Sequence, residues 1–136
     1  MKFVECMGTR DRLRDIYASH PDGRIPFYRA MYENCTIVTT NLEIVHLYPN
    51  NRSEFDLSFF ENIREVHGYV LVASNLVSRV PLTSLRVIRG RSLFQFPRQT
   101  DSPESRNYSL FVADNTLDTL NSSSGLTYLE LPNLMG

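Results

Sequence analysis

His20, His46 and His67 are the side chains in this chain best suited to proton transfer or metal binding, and their spacing supports neither. A zinc site on one element needs pairs such as HxxxH or HxH, and the three histidines provide none. Cys6 and Cys35 are the only cysteines, too few for a four-cysteine zinc site and too far apart for a CxxC redox pair. Asp56 and Glu61 form one of several carboxylate pairs, but nothing separates them from ordinary surface charges. A Gly-x-Ser-x-Gly elbow, a phosphate loop and a dinucleotide fingerprint are all missing. These residues predict a domain without a catalytic group, metal or cofactor: a binding domain, not an enzyme.

One kind of chemistry is signalled more than once. Asn34-Cys35-Thr36, Asn51-Arg52-Ser53, Asn107-Tyr108-Ser109 and Asn121-Ser122-Ser123 are acceptor triplets for N-linked sugar. Together with a pair of cysteines, four such triplets point to the extracellular side. Met1-Lys2-Phe3-Val4-Glu5 lacks the apolar run of a signal peptide, so a secreted protein with this opening is expected to be a fragment or an incomplete gene model.

The elements that must carry these residues come from a chain of 136 residues, enough for one domain. With 42% hydrophobic and 21% charged residues it lies far from the disordered compositions. A net charge of −1 gives no electrostatic reason to expect nucleic acid or an anionic membrane as partner, and no apolar run reaches the roughly 20 residues of a membrane helix. From about residue 9 to 34 the pattern is helical. Leu13, Ile16 and Tyr17, then Phe27, Ala30 and Met31, keep the i, i+3, i+4 spacing of one face. Thr9 offers an N-cap, and Pro21-Asp22-Gly23 separates the two patches.

From 35 to 134 the chain turns to short β-branched runs, and these repeat. Val38–Ile44 aligns with Val66–Val72 and with Ile88–Phe94, at offsets of 28 and 22 residues. Weaker runs follow at Tyr108–Val112 and Leu126–Leu131. Each unit is too thin to bury its own apolar face, so stacking is required. The fold class expected is mainly β, a leucine-rich-like solenoid of irregular coils with an N-terminal helical cap, as a single domain over 1–136. The runs 41–44, 69–72, 92–95, 109–112 and 127–131 are expected to form one parallel sheet, with Leu42, Val70, Leu110 and Leu129 in its core. Polar segments at 97–107 and 121–125 read as loops projecting from it.

Several segments carry a signal beyond the repeat. They are Cys6-Met7-Gly8-Thr9, Met31-Tyr32-Glu33-Asn34-Cys35, Asn41-Leu42-Glu43-Ile44 and Asp56-Leu57-Ser58-Phe59-Phe60. Further along come Ile63-Arg64-Glu65-Val66, Gly68-Tyr69-Val70-Leu71-Val72 and the run Pro81 to Gly90. Together these segments resemble the receptor L domain family, and within it they look most like the first L domain of an invertebrate epidermal growth factor receptor-type tyrosine kinase receptor. Insulin-receptor L domains share the Ile88-Arg89-Gly90 segment but fit the run from Glu65 to Leu71 less well.

The resemblance implies a right-handed β-helix with an N-terminal capping helix, an extracellular module on the outer side of the plasma membrane that serves as one jaw of a growth-factor site. Its partners would be an epidermal-growth-factor-like peptide and the rest of the receptor ectodomain. Any kinase would belong to the parent receptor outside this chain. The resemblance also implies a Cys6–Cys35 disulfide, closing a loop of about 30 residues and contributing about 3–4 kcal/mol. Carried over by position, ligand contacts fall on Leu13 and Asp15, on His46 and Ser74 at the ends of the first two strands, and on Gln95, Ala113 and Asp114. His46 and Ser74 are expected side by side, about 4.8 Å apart in the strand-pairing direction. Thr40 stands where the family has glycine, so that corner is expected to be rebuilt with Asn41 in the left-handed region. Asn51, Asn107 and Asn121 are expected to be open to sugar, and Asn34, next to a bridged cysteine, less so. The alternative is a secreted or pseudo-receptor L domain that binds no growth factor, or an insulin-receptor-like one.

Overall fold

The structure is a computed structural model, and it describes residues 2–11, 24–47, 56–75, 77, 79–96, 103, 105–113 and 128–135. The first elements are β1 (Glu5–Cys6), the helix α1 (Arg24–Tyr32), β2 (Ile37–Val38) and β3 (Leu42–Val45). After a single 3-10 turn at Ser58–Phe60 come β4 (Glu65–Val66), β5 (Val70–Ala73), β6 (Arg79–Pro81) and β7 (Val87–Ile88). The last are β8 (Phe94–Phe96), β9 (Arg106–Tyr108), β10 (Leu110–Ala113) and β11 (Tyr128–Glu130).

The repeats pair in the register that the sequence offsets predict. Val38 lies opposite Val66, and Val66 opposite Ile88, within a four-stranded parallel sheet ordered β1-β2-β4-β7. Leu42 lies opposite Val70 in a second parallel sheet. There the expected order breaks down, because the five runs divide among three sheets. Residues 94–96 leave the stack and pair antiparallel with β9, and β10 takes the vacated place beside β5, with Leu110 opposite Val70. Leu129 pairs with Val80 on β6.

The cause of the detour is local. Gly90 sits at φ +64°, where L side chains are strained, and turns the chain out of the third repeat. Arg106 and Asn107, the end of the segment expected to be a loop, then return with Tyr108 as a strand against Phe94–Phe96.

Side-chain alternation divides the apolar residues of the second sheet between two clusters. Leu42, Ile44, Val70 and Val72 face the main core with Phe60, Ile63 and Leu85, and Leu110 and Leu129 pack against it half-buried. Val45, Leu71 and Ala73 face the other way, into a smaller cluster with Tyr69 and Phe94. Each fully buried aliphatic side chain here is worth about 1.5–3 kcal/mol.

Helix α1 covers the main core with Ile25, Tyr28 and Tyr32, while Ala30 is exposed and Met31 only partly buried. The buried face is thus rotated from the expected one of Phe27, Ala30 and Met31. Two tyrosines define it because the ring of Tyr28 packs in the core while its hydroxyl reaches the edge of β3, donating to the Glu43 carbonyl at 2.7 Å. Pro26 is tolerated in the first helical turn, where backbone N–H groups lack helical partners. The helix ends at Tyr32, and Asn34, two residues on, sits in the left-handed region at φ 64°. Immediately beyond it, Cys35 is bonded to Cys6 with a Cα–Cα distance of 5.8 Å. Leu13, Ile16, Tyr17 and Pro21–Gly23 lie outside the described residues. Thr9, the expected N-cap, bridges to Asn41 and gives its hydroxyl to the Glu43 carboxylate at 2.7 Å.

Candidate ligand-binding site

Three of the seven expected contact residues come together. Val45, Ala73 and Ala113 are level with one another across β3, β5 and β10. His46 and Ser74 follow directly, both at φ 57° and both half-buried. The Ser74 amide donates to the Ala113 carbonyl at 3.3 Å, so Ala113 belongs to the same strand-end row. Beneath the row, buried Asn75 accepts from the Leu47 amide at 3.1 Å and donates to the Ile44 carbonyl at 2.8 Å. That side chain ties the two strand ends together, a role signalled only by an asparagine just past a strand.

Gln95 does not join the row. It sits on β8 opposite Asn107 and donates to the Ser105 hydroxyl at 2.8 Å. Leu13, Asp15 and Asp114 lie outside the described residues, as do Asn51 and Asn121. Asn34 and Asn107 are both exposed.

What the sequence did not reveal is how β8 crosses the outward side of the second sheet. Phe94 is buried there with Val45, Tyr69, Leu71 and Ala73, its ring 5.0 Å from that of Phe111. Phe96 and Tyr108 each stand 5.1 Å from Phe111. The i, i+2 spacing of Phe94 and Phe96 is the signal that would have placed both rings on one side of a strand. Leu93, Phe96 and Val112 remain exposed.

Beside this aromatic group lies an open cleft of about 470 Å³, lined among others by Arg10, Asn41, Tyr69, Ser92 and Gln95. Glu43 and Asn41, under Tyr69, are buried polar side chains with their needs met. The Glu43 carboxylate accepts from Tyr69 Oη and from Thr9 Oγ1, both at 2.7 Å. Asn41 Oδ1 accepts from the Tyr69 amide at 3.0 Å and the Ser92 hydroxyl at 2.7 Å, and its Nδ2 donates to the Thr9 carbonyl at 3.2 Å. Asn41 does not adopt the left-handed conformation expected of it, since the non-glycine residues at positive φ among those described are Asp11, Asn34, His46 and Ser74. It joins three successive segments instead, and Gly68 faces it at a distance that admits no side chain.

Charges elsewhere are paired at the surface. Glu65 accepts from Arg89, which holds its carboxyl below the usual range, with His67 Nε2 at 3.4 Å. Arg79 and Glu130 tie β6 to β11, Nη2 to Oε2 at 2.9 Å, and their hydrogen bond lowers the Glu130 carboxyl. Among the described residues no group of three or more His, Cys, Asp or Glu could hold a metal ion. Nor is any helix among them long and apolar enough to cross a membrane.

Known proteins show the same pattern over most of the chain. The epidermal growth factor receptor of Drosophila melanogaster is 41% identical over 118 residues, 85% of this chain and 7% of that receptor. Receptor tyrosine-protein kinase erbB-2 of Rattus norvegicus is 39% identical over 110 residues, 81% of this chain and 8% of the receptor. The melanoma receptor tyrosine-protein kinase of Xiphophorus maculatus is 35% identical over 133 residues, 95% of this chain and 10% of the receptor. The chain thus spans a tenth or less of the length of each of these relatives. These relatives are membrane receptors whose L domains are extracellular, and this chain shares that location. The receptor L domain family profile matches residues 34–136, and on that match and these identities the chain belongs to the receptor L domain family.

Proposed function

We propose that this chain is a single L domain of a larger receptor ectodomain and forms one jaw of a site for an epidermal-growth-factor-like peptide. The parallel registers at offsets of 28 and 22 residues support winding as a right-handed β-helix with its helix as cap. The observation that carries the binding reading is the row of strand ends at His46, Ser74 and Ala113, aligned by register on one edge. A row of this kind offers a peptide a straight line of contacts. Leu13, Asp15 and Asp114 are proposed as further ligand contacts, with Gln95 contributing from β8 beside exposed Leu93 and Phe96. The domain itself performs no catalysis; a kinase would belong to the parent receptor.

Half of a two-jaw site buries half the contact area while the ligand still loses most of its translational freedom. The isolated domain is therefore expected to bind at about the micromolar level or weaker, about −8 kcal/mol or less favourable. Titration of an epidermal-growth-factor-like peptide against the domain and against a full ectodomain tests this. Leu13→Ala and His46→Arg should weaken binding without lowering the melting temperature. Equal, tight binding to domain and ectodomain would refute the one-jaw reading.

One observation favours a second reading. Phe94 shares a buried cluster with Val45, Leu71 and Ala73, so the middle of the outward sheet side is already occupied. A structural L domain that binds no growth factor would show no titration signal in either form.

A further inference from the structure

The sequon Asn34-Cys35-Thr36 is divided by the fold between an open acceptor and a closed recognition element. Asn34 is exposed at the end of α1, on the rim of an open cleft of about 780 Å³ lined among others by Lys2, Val4, Asn62 and Arg64. Thr36 is 9% exposed, and its Oγ1 accepts from the Val4 amide at 2.8 Å and lies 3.2 Å from the Val4 carbonyl. The Thr36 amide donates to that same carbonyl at 2.9 Å, and the Thr36 carbonyl accepts from the Arg64 amide at 2.8 Å. Cys35 is fully buried and bonded to Cys6. A transferase that reads the hydroxyl two residues after the acceptor finds that hydroxyl held under the Val4–Cys6 segment. The Cys6–Cys35 bond ties this segment covalently to the sequon, beside the β1–β2 pairing.

We propose that Asn34 is a conditional glycosylation site, its occupancy decided by a race between sugar transfer and closure of the Cys6–Cys35 disulfide. The inference rests on the extracellular placement of the domain, hence on passage through an oxidising secretory compartment. In the transfer step the Asn34 Nδ2 forms a bond to C1 of a lipid-diphosphate-linked oligosaccharide. The C1–O bond to the diphosphate breaks, the lipid diphosphate leaves, and the amide proton passes to a base of the transferase. In the competing step the Cys6 and Cys35 thiols lose two electrons and two protons to a disulfide-bearing oxidoreductase, which becomes a dithiol. The hundred residues after Thr36 take about 5–20 s to synthesise, and disulfide formation takes seconds or longer. Neither step is so fast that it always precedes the other.

Asn107 is the internal comparator. It is exposed, its sequon hydroxyl at Ser109 is exposed as well, and neither residue belongs to the segments that the disulfide joins. The experiment expresses the chain behind a secretory leader and measures occupancy at both sites by glycopeptide mass spectrometry, in medium and cell extract together. Cys6→Ser keeps the Asn34 sequon intact and removes the bond; Cys35→Ser does the same from the other side. Both variants should raise Asn34 occupancy severalfold and leave Asn107 unchanged, and a pulse of dithiothreitol during synthesis should do the same for the wild type. Unchanged Asn34 occupancy in both variants, whether high or absent, would overturn the proposal. So would a parallel rise at Asn34 and Asn107, because general misfolding would then explain it.

Discussion

His46 and Ser74 close successive strands with the same backbone angle, φ 57°, although 28 residues separate them. Two non-glycine residues in the left-handed region at one register position mark a corner that the repeat imposes on whatever side chain falls there. Each such residue carries about 1–2 kcal/mol of steric cost. Ser74→Gly should relieve most of it, less the entropy of a glycine, for a net gain of up to about 1 kcal/mol. Ser74→Val should destabilise by about 2 kcal/mol or more, because a β-branched side chain fits this region worst. Denaturant unfolding of the two variants beside the wild type measures both. A stabilising valine would mean that the corner is not fixed by the fold.

The contact between Asn41 and Gly68 yields a sharper test. A Cβ at Gly68 would stand 1.9 Å from Asn41 Oδ1 and 2.7 Å from the Thr40 carbonyl. Gly68→Ala is therefore expected to cost about 2–3 kcal/mol through overpacking. Asn41→Ala should cost about 1–3 kcal/mol, since it leaves the Tyr69 amide and the Thr9 carbonyl without their partner. The double variant should cost clearly less than the two singles added, because Asn41→Ala removes one of the atoms that an alanine at 68 would strike. Additive costs would show that the carbonyl alone excludes a side chain at 68.

The repeat offsets were legible because apolar β-branched residues recur at positions that must pair, and register follows from that period. Thus Val38, Val66 and Ile88 could be aligned before any geometry was known. The departure of β8 was not legible, since Leu93 and Phe94 are as apolar as the strands they were matched with. What diverts them is Gly90 at positive φ together with the rings of Phe96, Tyr108 and Phe111, contacts made only after the chain has returned from a polar segment. In the candidate site, His46 and Ser74 were visible through the same offset. Gln95 lies away from that edge because β8 leaves the stack to pair with β9. Asn41 and Asn75 were hidden because a buried asparagine looks, in sequence, like any turn residue.

Acid should expose the surface pairing of Glu65. Its carboxyl is lowered chiefly by the hydrogen bond from Arg89, so the charged form is favoured in the folded state. A lowered folded value means that the contribution is present at neutral pH and is lost as pH falls through that value. The Arg89 side chain is 45% exposed, so the pair is worth under about 1 kcal/mol. Glu65→Gln should therefore lower stability slightly at pH 7, and the difference from wild type should shrink as the medium is acidified. High salt should shrink it as well. A gap that widens in acid would reverse the assigned direction.

Tyr28 is where the helix protects the sheet. In the order β10-β5-β3, β3 is the outer strand, and a strand edge with free N–H and C=O groups invites pairing with other chains. The Tyr28 hydroxyl meets that edge, donating to the Glu43 carbonyl at 2.7 Å and accepting from the Val45 amide at 3.2 Å. Tyr28→Phe keeps the ring against Tyr32 and Phe60, whose centroids lie 6.0 and 6.1 Å away, and removes only the oxygen. Both backbone groups are buried, so the loss is expected to cost about 1–3 kcal/mol. Hydrogen exchange separates this local effect from a general one. The Val45 amide should exchange faster in the variant, beyond the change in global stability, because its partner is gone. The Leu42 amide, bonded to the Tyr69 carbonyl at 3.0 Å on the other side of the strand, should change only by the global amount. Equal changes at the two amides would show that Tyr28 supports the core through its ring and leaves the edge of β3 to other groups.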